Sequence, residues 1–238
     1  MPLSGGYPRY TRCVARCARR SVRVVPLPYP PLHVEVRTPR LTLRGATDDL
    51  LEELFPVVRQ GVVREDEVPF DDPISHYEHS PAREWRWLRG IWAARARVEP
   101  AFWRLPLVVD VAGRAVGMQD LIAEDFSTFG SVTTFSWLAP QARGRGLGRE
   151  MRAAVLHLAF AGFGAKEATS EAFLDNHASN GVSRSLGYEE NGLSWATRRG
   201  QPFQLRRWAL SRSRWEAACR DDITLIGVDE CLPVFGLA

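Results

Sequence analysis

Ser136-Trp137-Leu138-Ala139-Pro140-Gln141-Ala142-Arg143-Gly144-Arg145-Gly146-Leu147-Gly148-Arg149-Glu150-Met151 decides how the rest of this chain is read. A strand-like apolar run stops at Pro140, glycines follow at every second position, and helical sequence runs on from about Arg149 to Phe163. Glycine tolerates positive φ and lets a ligand approach the main chain, so several N–H groups can converge on one anion. The helix start adds unpaired N–H groups and the positive end of its dipole. Strand, glycine loop and helix start together form a phosphate cradle.

Two familiar cradles do not fit. The P-loop needs a lysine and a hydroxyl after its last glycine, whereas Arg149-Glu150 stands here and Lys166 is the only lysine. The dinucleotide fingerprint needs Gly-x-Gly-x-x-Gly, and Gly144-x-Gly146-x-Gly148 has another spacing. Gln141, Gly144 and Gly146 instead form Gln-x-x-Gly-x-Gly. That pattern resembles the pyrophosphate motif of the GNAT acyltransferases, which use coenzyme A thioesters. Asn176-His177-Ala178-Ser179, followed by Leu186-Gly187-Tyr188, resembles the family's Asn-x-x-Ser/Ala…Gly-Phe/Tyr block. Arg37-Thr38-Pro39-Arg40-Leu41-Thr42-Leu43-Arg44 is similar to the opening strand of the RimJ/RimL-like branch. From Glu150 to Leu193, and from Gly227 to Gly236, the chain looks most like members assigned succinyl-CoA as donor.

Composition sets the frame. The 238 residues are 45% apolar and 25% charged, enough for one ordinary domain with a full core. No apolar run is long enough to span a bilayer, and four scattered cysteines, Cys13, Cys17, Cys219 and Cys231, make no disulfide framework. No membrane partner and a cytoplasmic setting are expected. Residues 1–33 carry Arg9, Arg12, Arg16, Arg19, Arg20 and Arg23 but no acid, and end in Pro26-Leu27-Pro28-Tyr29-Pro30-Pro31. They read as a basic, Pro-rich, disordered extension, with a single domain over residues 34–238. A nucleic-acid partner is not expected.

The pattern of segments is α/β. Glu35 to Arg44 reads as a strand, Thr47-Asp48-Asp49 caps a helix through Val58, and residues 60–80 form an irregular connection. The helix after Ser80-Pro81 is expected to bury Trp85, Leu88, Ile91 and Trp92. Strands follow at Leu105–Val111, Arg114–Ile122 and Ser131–Leu138. The long helix, strand Glu167–Phe173, a helix over about 178–186 and strands near 187–195 and 204–210 complete the fold. Ile223 to Val228 reads as an edge strand or a dimer arm, which would make a homodimer. The resemblance implies a GNAT fold: a twisted, mostly antiparallel mixed sheet flanked by helices, with splayed central strands.

Acyl transfer must hold the pyrophosphate, align pantetheine, neutralise the amine, stabilise the oxyanion and protonate the thiolate. No metal is needed or expected. The resemblance assigns the pyrophosphate to amides from Arg143 to Gly148, including Arg145, Gly146 and Leu147, with Gln141 shaping the turn. It assigns pantetheine to the opened backbone at Trp137, Leu138 and Ala139, one of which donates to the oxyanion, and to Asn176. The side chains of Arg143 and Arg145 are phosphate partners or plain surface residues. Many relatives protonate the thiolate with a tyrosine seven residues past the asparagine, but Ser183 stands there. Ser179 is the replacement, with Tyr188 as a substitute. Asp120, Glu124 and Asp125 are the base candidates, against a water chain. His76-x-x-His79 reads as solvated loop rather than metal site. Acids between Glu65 and Glu78 would suit a cationic acceptor. The expected donor is acetyl-CoA or succinyl-CoA and the expected acceptor an amine on a protein or small molecule. The rival reading is an acyl-CoA-binding sensor without chemistry.

Overall fold

The computed structural model describes residues 29–64, 66–218 and 220–237. The tail arginines, Cys13, Cys17, Glu65 and Cys219 lie outside them. The stretch expected to finish the linker is packed: Pro30–His33 is a 3₁₀ turn with Pro31 buried, and the Tyr29 hydroxyl donates to the Arg95 carbonyl at 3.2 Å.

Among the described residues nine strands form one sheet: β1 (Glu35–Arg37), β2 (Thr42–Gly45), β3 (Phe102–Val111), β4 (Arg114–Glu124), β5 (Ser131–Leu138), β6 (Glu167–Phe173), β7 (Glu189–Arg198), β8 (Gln201–Ser211) and β9 (Thr224–Ile226). Their order is β7-β8-β6-β5-β4-β3-β2-β1-β9, antiparallel except for β5–β6. The expected first strand is two, because Pro39 lies in a tight turn closed by Thr38 N–H donating to the Leu41 carbonyl at 2.9 Å. The 223–228 segment supplies β9, which pairs with β1 of the same chain at the sheet edge.

Helices α1 (Asp48–Gln60) and α2 (Ala82–Ala96) cover one face, packing Leu51, Leu54, Trp87 and Ile91 against Val108, Met118 and Trp137. The buried stripe of α2 is Glu84, Trp87, Ile91 and Ala94, so the expected Trp85 and Trp92 face outward, 60% and 49% exposed. Glu84 takes the inner place because Ser80 and Arg59 both donate to its Oε1, while Oε2 is buried without a partner among the described residues. The short α3 (Phe126–Phe129) turns the chain from β4 into β5. On the other face, α4 (Leu147–His157) lays Met151, Val155 and Leu156 into the main core. It ends in a π turn, Leu158–Gly162, rather than continuing as regular helix to Phe163. Helix α5 (His177–Ser185) follows β6, and α6 (Arg212–Ala217), not expected from sequence, follows β8.

The feature that positions the site is a break in the sheet. β5 and β6 pair only over Ser131–Thr133 and Glu167–Thr169, whereas β6 stays paired with β8 along its whole length. β5 stays with β4 to Leu138, opposite Gly117, where a Cβ would lie 2.3 Å from the Trp137 carbonyl oxygen. From residue 134 onward the two central strands therefore diverge as a wedge.

Candidate acyl-CoA site

At the mouth of the wedge, Pro140–Ala142 makes one 3₁₀ turn, and Gly144 and Gly146 both take φ of +76°. A side chain at either position would be strained in this left-handed region. Arg143 N–H donates to the Pro140 carbonyl, and the next main-chain donor with a protein acceptor is Glu150, bonded to Gly146 at 3.2 Å. Between them the N–H groups of Gly144, Arg145, Gly146, Leu147, Gly148 and Arg149 have no acceptor among the described residues. Six consecutive free donors at a helix N-terminus can converge on an anion.

The loop is held from behind. Glu150, 4% exposed, accepts from Thr38 Oγ1 at 2.7 Å, Arg40 N–H at 3.1 Å and Arg40 Nε at 2.5 Å. A second nitrogen of Arg40 donates to the Arg145 carbonyl at 2.9 Å. Burial pushes the Glu150 carboxyl up, but these donors outweigh it and hold it below its ordinary value. Beside the loop a cleft of about 550 Å³ is lined by Arg40, Gly146, Arg149, Arg184, His157 and Trp215, among others.

The two arginines of the motif part company. Arg145 is exposed on the loop. Arg143 turns away from the cradle and clamps the connection above it, donating to the Leu138 carbonyl at 3.0 Å, Glu67 at 2.6 Å and the Val62 carbonyl. Neither of the two roles expected for its side chain, phosphate partner or plain surface residue, describes this clamp. Gln141 is exposed in the 3₁₀ turn.

Along the wedge, Asn176 Oδ1 accepts from Ser179 N–H at 3.1 Å and so caps α5. The Ser179 hydroxyl is half-buried and carries no bond among the described residues. Ser183 is 1% exposed with its hydroxyl unpartnered, so the departure from tyrosine leaves a small buried group there. Trp137, Leu138 and Ala139 present one backbone edge to β4, where Ala139 N–H donates to the Val116 carbonyl at 2.8 Å, and the other edge to the wedge.

The base candidates separate by register. Asp120 lies opposite Phe135, on the face covered by α1 and α2. It is 2% exposed; its Oδ2 accepts from Arg104 Nε at 2.7 Å, while Oδ1 is buried without a partner. Burial raises its pKa and Arg104 opposes the rise. Asp125 is elsewhere. It stands at φ +43° beyond the end of β4, eight residues from Gly117, which pairs with Leu138. At about 3.3 Å per residue that is roughly 26 Å along the strand from Gly117, the end of β4 beside the mouth of the wedge. Glu124, opposite Phe102, shares that far end. Asp125 and Glu124 are thus removed from the wedge by strand direction, a separation that chain proximity concealed.

The connection between α1 and α2 roofs the opposite side. Asp72 N–H donates to the Thr197 carbonyl, Gly200 N–H to Asp72, and Arg198 to the Val68 carbonyl, lashing the roof to the β7–β8 hairpin. Its acids are largely engaged: Glu67 with Arg143, Asp72 with Gly200 and Glu78 with Arg86. His76 is no solvated loop residue. It is 3% exposed, wedged between Phe70 and Trp137 with ring centroids at 5.4 and 5.3 Å. Among the described residues no group of three His, Cys, Asp or Glu could hold a metal ion, and no helix is long and apolar enough to cross a membrane.

Sequence reasoning missed Thr38, Arg40, Glu150 as an anchor, Arg104, His76 and Arg152. Most act across more than a hundred positions or are buried by partners that only the fold supplies.

This geometry has counterparts. A family model described as an acetyltransferase (GNAT) domain matches residues 40–189. RimJ from Mycobacterium smegmatis, solved in complex with CoA-disulfide, superposes with a TM-score of 0.65 at 18% identity, covering 80% of this chain and 94% of that one. RimL, a ribosomal alpha-N-protein acetyltransferase solved with coenzyme A, gives 0.61 at 16%, covering 73% and 95%. The microcin self-immunity acetyltransferase MccE, solved with acetyl-CoA and AMP, gives 0.59 at 12%, covering 73% and 93%. At these identities the three structures share the fold with this chain.

Proposed function

Because this chain belongs to the GNAT acetyltransferase family, we propose that it moves an acyl group from a coenzyme A thioester to a primary amine by direct attack within a ternary complex. The observation that carries this reading is the row of six free N–H groups from Gly144 to Arg149 at the mouth of the β5–β6 wedge. They bind the diphosphate, the Arg-lined cleft beside Gly146 takes the nucleotide end, and pantetheine lies along the free edge of Trp137–Ala139 as an added strand would.

The amine approaches from the roofed face. Its nitrogen attacks the thioester carbon, the new C–N bond forms as the C–S bond breaks, and the amine proton leaves. Ala139 N–H is spent on the Val116 carbonyl, so by strand alternation the wedge-facing N–H of Leu138 stabilises the oxyanion. Ser179 returns a proton to the thiolate. Asp120 Oδ1 or ordered water takes the amine proton, and Arg104 limits how strongly Asp120 can act as a base. Asn176, by capping α5, fixes Ser179 in place.

Acetyl-CoA is the first donor to test and succinyl-CoA the second. Thiol release with each thioester, against a panel of peptide N-termini, lysine peptides, polyamines and aminoglycosides, tests the reading. Turnover on any amine sustains it. Tight CoA binding with no turnover on all of them favours the sensor instead.

A further inference from the structure

Arg152 lies on α4 about four residues, or roughly 6 Å of helix, beyond Gly148. It is 4% exposed. Its guanidinium reaches across the wedge on the α4 side. One terminal nitrogen donates to Ser170 Oγ of β6 at 2.9 Å, and the other reaches Ser136 Oγ of β5 at 3.4 Å. Nε is buried without an acceptor among the described residues. The Tyr188 hydroxyl, also buried, faces Arg152 and Thr134 without a normal hydrogen bond to either. No carboxylate pairs with Arg152 among the described residues, whereas Arg40, Arg104 and Arg143 each have one.

A buried cation compensated only by neutral hydroxyls is costly to keep, and the cost falls when an anion occupies the same space. The surroundings say which anion. The diphosphate is served by the amides at the mouth, and the oxyanion by the backbone of β5. An acceptor arrives on the α1/α2 face, whereas Ser136 and Thr134 alternate with Phe135 and Trp137 and face α4. That leaves the far end of the acyl group as the anion Arg152 would meet from the wedge. A planar guanidinium flanked by hydroxyl donors matches a carboxylate.

We propose that Arg152, with the hydroxyls of Ser136, Ser170 and Tyr188, anchors a terminal carboxylate on the acyl group, so that the donor is the CoA thioester of a short dicarboxylic acid. This rests on the acyltransferase reading and narrows its donor. The reaction is unchanged in its balance: the thioester carbon moves from sulfur to nitrogen while the distal carboxylate stays on the guanidinium.

The test compares specificity constants for malonyl-, succinyl-, glutaryl-, acetyl- and butyryl-CoA, the last being a neutral counterpart of succinyl. In the wild type the best dicarboxylic donor exceeds butyryl-CoA by about a hundredfold, as expected for a desolvated ion pair. Arg152→Met removes that ratio and Arg152→Lys restores part of it. In calorimetry, succinyl-CoA binds the wild type more tightly than free CoA does, and Arg152→Met abolishes the difference. Should Arg152→Met not fold, the double variant Ser136→Ala/Ser170→Ala retains the charge and lowers the ratio about tenfold. Preference for acetyl- or butyryl-CoA in the wild type overturns the inference and leaves the acyltransferase intact, as does an equal loss on every donor in Arg152→Met. Failure of every CoA species to bind removes both.

Discussion

Nε of Arg40 lies 2.5 Å from Oε2 of Glu150, joining the β1–β2 turn to the first turn of the helix behind the glycine loop across 110 positions of sequence. The same arginine holds the Arg145 carbonyl, so one residue fixes both the back and the lip of the cradle. Arg40→Ala leaves a buried carboxylate short of its partner. Loss of one partner from a buried pair costs about 3 kcal/mol or more, and somewhat less here because Arg40 is half exposed. Thermal melting and CoA titration of this variant should show reduced stability together with weakened CoA binding. A melt unchanged from wild type would mean that the pair contributes nothing.

The cradle's glycines permit a controlled contrast. Gly144 and Gly113 have φ of +76° and +77°, and a Cβ at either meets nothing within 4 Å. Alanine at each position therefore costs a similar strain, about 1–2 kcal/mol. Gly113→Ala, in the β3–β4 turn, should lower the melting temperature by a few degrees and leave CoA binding untouched. Gly144→Ala should show the same thermal loss and bind CoA at least tenfold more weakly, because its methyl stands where the diphosphate must approach. Equal CoA affinity in the two variants would contradict the placement of the ligand.

His76 makes stability pH-dependent. Burial, reinforced by the Arg83 guanidinium, pushes its pKa from 6.5 down to about 3. The unfolded chain then binds a proton that the folded chain refuses between those values, so stability falls as pH falls through this window. The slope from this group approaches about 1.4 kcal/mol per pH unit. His157, shifted in the same direction by burial, adds to it. Denaturant titrations at pH 7 and pH 5 should show a smaller difference for His76→Phe than for wild type. Parallel pH profiles would show that His76 is protonated without penalty.

At the leaving-group position, Ser179→Ala should lower kcat by tenfold or more with CoA affinity kept, because the hydroxyl carries no structural bond. Asn176→Ala removes the α5 cap, an effect of about 1 kcal/mol on stability, and weakens CoA binding as well. Steady-state kinetics set beside calorimetry separate the two. A full kcat in Ser179→Ala would pass the proton to water.

How far the sequence carries is visible in particular elements. Pro140 and the alternating glycines marked the end of β5 and the start of α4 because they act on the backbone within a few residues. Helix α4 was read to Phe163 because no proline or glycine precedes the π turn at Leu158, and Gly162 comes only at its end. The inner face of α2 was misread because Glu84 is buried by Ser80 and Arg59, which breaks the rule that large apolar residues point inward. Arg143 stood open between phosphate partner and plain surface residue, and its Glu67 and Val62 partners appear only once the roof is folded over the loop. Asp125 differs: counting strand register from Leu138 would have excluded it.

The central claim is that main-chain amides from Gly144 to Arg149 receive the diphosphate, and amide-resolved ¹⁵N NMR during a CoA titration tests it most directly. The account predicts that the resonances of Gly144, Gly146 and Gly148 shift furthest and saturate with the same affinity that calorimetry reads. Saturating CoA that leaves those three amides unmoved, while others respond, would contradict it.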